Sequence, residues 1–137
     1  MIKLILIEVL FLFMIISCKN DYTASPLVFD KPVELKYGEI ILNSDYKISI
    51  VLDSVINESR CPLDAECIWA GNAAVRFIYS SPEKKVQFVL NTISSFRTDS
   101  LIDGYRIKLN SLTPYPKLGI HIKQTDYKAE IEVKKIN

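Results

Sequence analysis

The feature that most constrains this chain is a hydrophobic period of two that recurs along most of its length. Successive side chains of an extended strand point to opposite faces of a sheet, so strict alternation means one dry face and one wet face. Val33, Leu35 and Tyr37 alternate with Glu34 and Lys36; Gly38 breaks the run, which resumes over 39–42. After the turn cluster Asn43-Ser44-Asp45, the residues Tyr46, Ile48, Ile50 and Leu52 alternate with Lys47, Ser49, Val51 and Asp53. Beyond Gly71, Ala73, Val75, Phe77 and Tyr79 share one face, and after a Pro82-containing hairpin loop Val86, Phe88 and Leu90 return along the partner. Residues 91–99 read as a polar loop. Tyr105, Ile107 and Leu109 follow, residues 118–123 read as a short strand, and the cleanest alternation closes the chain at Tyr127, Ala129, Ile131 and Val133.

No segment from residue 33 onward sustains a helical period, so the expected class is all-β. Seven or eight strands, each with one apolar face and separated by turn signals, predict two antiparallel sheets packed face to face: an immunoglobulin-like β-sandwich over 33–137, with a small barrel as the alternative. The long-range Cys…Trp…Cys spacing of true immunoglobulin domains is absent, so membership of that superfamily is not implied. A length of 137 residues favours one such domain.

Residues 1–17 do not belong to the alternating pattern. Lys3 opens a stretch whose wholly apolar run, Val9–Ile16, is far short of the roughly 20 residues that span a bilayer but fits a signal-peptide core, with Glu8 as an unusual charge beside it. The stretch ends Ile15-Ile16-Ser17-Cys18, which resembles the lipobox of bacterial lipoproteins. The resemblance implies that residues 1–17 are cleaved, that small Ser17 admits the peptidase, and that the Cys18 thiol accepts a diacylglyceryl group. Two or three acyl chains, at about 0.8 kcal/mol per buried methylene, hold a protein on a membrane almost permanently. Lys19 after the cysteine is the pattern of lipoproteins sent to the outer membrane. Residues 18–32, with Pro26 and Pro32, then read as a lipidated terminus and tether.

With Cys18 committed to lipid, Cys61 and Cys67 remain. In an oxidising envelope they are expected to pair, and closing a loop of about 7 residues stabilises a fold by roughly 2.4 kcal/mol in the chain-entropy picture. A metal site is the rival, but it needs further soft or imidazole ligands, and the chain has only one histidine, His121.

The most distinctive stretch is Glu58-Ser59-Arg60-Cys61-Pro62-Leu63-Asp64-Ala65-Glu66-Cys67-Ile68-Trp69-Ala70-Gly71. It resembles an element recurring in a family of small secreted bacterial lipoproteins of unknown function: acidic-Ser-Arg-Cys-Pro, three variable residues where this chain has four (Leu63 to Glu66), then Cys-Ile-Trp-Ala-Gly. Leu112-Thr113-Pro114-Tyr115-Pro116 and Asp126-Tyr127 fit the same family. The resemblance implies no established activity and carries over no catalytic residue. Physically the element reads as a strand-to-strand crossover stapled by its own disulfide. Pro62 stiffens it, Trp69 covers the disulfide or caps the core, Gly71 permits a tight turn, and Arg60 pairs with Glu58, Asp64 or Glu66. The functional alternative is a rigid recognition loop displaying Arg60, Pro62, Leu63, Asp64, Glu66 and Trp69, since preorganisation lowers the cost of binding.

Other chemistry is weakly signalled. His121, between Ile120 and Ile122, lacks a nucleophile and an orienting group in the sequence. Asp53, Glu58, Asp64 and Glu66 lie close in sequence but match no calcium loop. Tyr105, Tyr115, Tyr127 and Trp69 could form a sugar platform, although strand aromatics more often pack cores. A net charge of +1 with both signs mixed argues against a nucleic-acid surface. The expectation is a non-enzymatic, lipid-anchored cell-envelope protein, without cofactor, metal or nucleic acid. Its partners are the membrane through Cys18 and an unknown envelope protein or glycan. The alternatives are an inhibitor or ligand-binding module acting through loop 61–67 and, last, a hydrolase.

Overall fold

A computed structural model describes residues 24–136; the signal peptide expected over 1–17 and the expected lipid site Cys18 lie outside them. The described chain forms nine strands and one short 3-10 turn. The strands are β1 (Ser25–Pro26), β2 (Pro32–Lys36), β3 (Ile40–Asn43), β4 (Ile48–Glu58), β5 (Ala73–Ser80), β6 (Lys85–Asn91), β7 (Asp99–Ile102), β8 (Tyr105–Thr113) and β9 (Lys128–Lys135), with the 3-10 turn at Gln124–Asp126. They make two sheets, β1-β3-β4-β5-β6 and β2-β9-β8-β7. Every pairing of named strands is antiparallel except the two-residue β1, which lies parallel to β3. This is the all-β sandwich expected from the alternation.

The alternation sets the register. Ala73, Val75, Phe77 and Tyr79 are fully buried on β5, and Ala129, Ile131 and Val133 on β9, each facing the other sheet. Where the apolar spacing steps by three instead of two, the backbone absorbs the extra residue. Leu52 and Val55 both reach the core because β4 slips register between Leu52 and Ser54, and Leu109 and Leu112 do so because β8 slips between Leu109 and Ser111. Such bulges bend a strand and re-aim its side chains. Both are at the same end of the sandwich, next to the disulfide loop.

Three expectations need correction. The described part of the tether expected over 18–32 belongs to the domain, because Ser25–Pro26 pairs with Ile41–Leu42 and Leu27 is buried with its N–H bonded to the Leu42 carbonyl at 3.0 Å. Residues 118–123 form no strand; only Ile122 packs against the core, and the segment is held as a loop. Asp99–Ile102, read partly as loop, pairs with residues 105–108 as a hairpin turned by Asp103-Gly104, both at positive φ.

Candidate functional site: the disulfide-closed end of the sandwich

The β4–β5 connection begins as an extension of the ladder. Ser59 N–H donates to the Asn72 carbonyl at 2.8 Å and Cys61 N–H to the Ala70 carbonyl at 2.8 Å. Gly71 sits at φ +72°, and a Cβ there would lie 1.8 Å from the Ser59 carbonyl oxygen, so only glycine lets the two arms come this close. Beyond this stem Cys61 and Cys67 are joined in a disulfide with Cα atoms 6.0 Å apart, and Ala65 N–H turns back to the Pro62 carbonyl at 3.1 Å. The loop is a small closed ring on a paired stem.

A second loop, the β8–β9 connection, is bonded to the first. Leu63 N–H donates to the Pro116 carbonyl at 3.0 Å, and Leu118 N–H donates to Asp64 Oδ1 at 2.8 Å. The Thr113–Pro114 peptide is cis, at the start of this second loop.

Beneath both loops is Arg60. Its residue is only 5% exposed, although the sequence reading placed it among displayed recognition residues. The guanidinium grips Glu58 with a fork, Nε to Oε1 at 2.8 Å and Nη2 to Oε2 at 2.5 Å. Nη1 donates to the Leu112 carbonyl, Nη2 donates to the Pro114 carbonyl at 2.9 Å, and the Tyr115 ring lies 4.5 Å from the guanidinium carbon. Burial of a charge is tolerated here because a carboxylate and two carbonyls satisfy it. Arg60 thus ties the end of β4 in one sheet to the end of β8 in the other.

Trp69 does the opposite of what its hydrophobicity suggested. It does not cap the core, one of the two roles expected of it: it is 61% exposed, and its neighbour Ile68 is wholly so. Leu63, Leu118 and Ile120 are exposed on the same two bonded loops, and Phe96 is exposed on the β6–β7 loop, which emerges at this end as well. Glu66 and Asp64 are exposed beside them, and Pro62 is half-buried.

The four clustered carboxylates take separate roles. Asp53 lies 3.7 Å from Arg76, Glu58 holds Arg60, Asp64 caps Leu118, and Glu66 is exposed. Among the described residues no group of three or more His, Cys, Asp or Glu side chains is placed to hold a metal ion. The aromatics are dispersed too. Tyr127 is buried with its hydroxyl 3.3 Å from Glu58 Oε2, Tyr115 lies against Arg60, and Tyr105 stacks on Phe29 at the opposite end. They form no common sugar platform with Trp69.

Sequence reasoning missed two supporting residues. Asn72 is buried and clamps the β6–β7 loop, its amide donating to Asn91 Oδ1 at 2.8 Å and accepting from Thr92 N–H at 3.1 Å. Gln124 completes the free edge of β4, donating to the Val55 carbonyl at 2.8 Å and accepting from the Val55 N–H at 2.9 Å. Gln124 also lines an open groove of about 310 Å³ between the end of β4 and the β8–β9 loop, together with Ile56, Glu58, Ile120 and His121 among others. A polar residue directly after Gly71 was the one available signal for Asn72; nothing local marks Gln124. Comparison with known protein families, with curated proteins and with solved structures finds no match to this chain.

Proposed function

We propose that this chain is a lipid-anchored, non-enzymatic cell-envelope protein whose sandwich serves as a rigid stand for one binding face, the pair of bonded loops at its disulfide-closed end. The anchor part of the reading rests on the sequence around Cys18. The binding part rests on one observation: Leu63, Ile68, Trp69, Leu118 and Ile120 are exposed together on loops fixed by a disulfide, an inter-sheet clamp and mutual hydrogen bonds. Exposed apolar side chains grouped in this way mark interaction surfaces, and their rigidity reduces the ordering cost of binding.

Two measurements test the two halves. Metabolic palmitate labelling of the full chain is expected to depend on Cys18, so label retained in Cys18→Ala ends the anchor reading. A photo-crosslinking amino acid in place of Ile68 in living cells is expected to yield an adduct, with protein or with lipid. An unmodified chain there, with the same probe at Leu101 giving the same result, ends the binding-face reading. An inhibitor acting through loop 61–67 is the second reading, favoured by the disulfide ring with Leu63 and Asp64 at its tip; replacing both without effect on the crosslink removes it.

A further inference from the structure

The geometry points to the lipid surface that holds the anchor as the occupant of the two-loop apolar face. This rests on the anchor reading above. The first observation is the path of the chain. β1 runs parallel to β3, which runs antiparallel to β4, so the chain enters the domain from the disulfide side and travels away from it. Ser25 is level with Ile41, and Ile41 with Ile50. From Ile50 to the end of β4 at Glu58 is roughly 25 Å at the rise of an extended strand. The seven steps from Cys18 to Ser25 span at most about 25 Å. An anchor at Cys18 therefore reaches at most about the level of the end of β4; since the chain enters from that side, the loops that project beyond Glu58 meet the lipid before the tether can hold them off it.

The second observation is the chemistry of that end. Ile68, Trp69, Leu63, Leu118 and Ile120 supply aliphatic bulk and an indole, the mixture suited to a bilayer interface, where the ring sits at headgroup level. The opposite end presents Asp30, Lys31, Asp45, Lys47 and Glu83, all exposed. The third observation is charge. Asp64 and Glu66 on the first loop, with Asp126 on the second, face Lys117 and Lys123 on the second. Such a face has no cationic excess with which to select anionic lipid, so insertion is apolar, works on zwitterionic lipid and is insensitive to salt.

Trp69 is the only tryptophan, so its fluorescence reports this contact directly. The full chain, processed and acylated, is reconstituted into phosphatidylcholine vesicles with and without lipids brominated on their acyl chains. The expected result is at least a twofold loss of Trp69 emission on brominated vesicles, unchanged between low and high salt. In a variant carrying Ile68→Asp and Leu118→Asp, which removes no buried group, emission is expected to recover while the protein still floats with the vesicles. A wild-type chain that floats but keeps equal emission on both lipids overturns the docking and leaves the anchor standing. A chain that neither carries palmitate nor floats overturns both.

Discussion

Gly71 and Ser59 approach so closely that a Cβ on the glycine would lie 1.8 Å from the serine carbonyl oxygen and 2.8 Å from the Cα of Arg60. Gly71→Ala must therefore push apart the stem that carries the disulfide loop, besides placing alanine at φ +72°. The expected cost is about 3 kcal/mol or more, a fall in Tm on the order of 10 °C. Gly119 also has positive φ, +70°, but nothing lies within 4 Å of its missing Cβ. Gly119→Ala should cost about 1 kcal/mol, the conformational part alone. Thermal melts of the two variants check this; equal losses would mean that the close approach at Gly71 is relaxed at little cost.

Arg60→Ala removes the clamp, because Glu58 loses its guanidinium partner and the Leu112 and Pro114 carbonyls lose the side-chain donor they share. The expected destabilisation is about 3 kcal/mol or more. Arg60→Lys restores charge but not the fork and should fall between. Urea unfolding of Arg60→Ala, Glu58→Gln and the double variant should show a double loss smaller than the sum of the singles. Additive losses would mean that the ion pair is not the unit of stabilisation.

Cys61→Ser with Cys67→Ser opens a small ring, and the expected loss is roughly 2.4 kcal/mol with β structure retained. Circular dichroism with a thermal melt checks both parts. An unchanged Tm would show that the stem and the Arg60 clamp hold the loop without help from the bridge.

Alkaline pH should destabilise the domain through its buried tyrosines. Burial, with the Glu58 carboxylate adding to it, pushes the Tyr127 hydroxyl up to about 12. Burial likewise raises Tyr79, whose hydroxyl has no hydrogen-bond partner among the described residues, and the Asp103 carboxylate adds to the rise. The unfolded chain ionises these groups near their ordinary value of about 10. It thus binds fewer protons than the folded state above that pH, and stability falls as pH rises from about 10 toward 12. Tyr127→Phe should flatten the fall measured by urea midpoints across this window. On the acid side, Glu39 is held below the usual carboxylate range first by the Ser25 hydroxyl at 2.6 Å and then by the Lys36 N–H at 2.9 Å. Its contribution is present above the ordinary glutamate value and lost as pH falls through its lowered one.

The strands were legible wherever burial follows from local alternation. β5 and β9 could be read almost residue by residue, because each apolar side chain on one face meets the opposite sheet regardless of the details of that sheet. Tyr46 was grouped with Ile48, Ile50 and Leu52, yet it lies just outside β4 and packs edge-on against Phe29 with 5.2 Å between ring centroids. The bulges at Leu52 and Leu109 were also present in the sequence, as apolar steps of three, but a step of three looks like the end of a strand until a partner shows that pairing continues.

By itself the sequence determined the all-β class, the dry faces of its main strands and the two cysteines available for a short ring, because each depends on the chemistry of near neighbours. Only the tertiary structure decided which side chains of the disulfide element turn inward. Arg60 is inside and Trp69 outside, contrary to simple hydrophobicity; Arg60 is inside because the ends of β4 and β8 bring a carboxylate and two carbonyls together around it. Those acceptors come from Glu58, Leu112 and Pro114, and the last two are more than 50 residues from Arg60 in the chain. The burial of a charged side chain is settled by such distant partners, not by the residues beside it.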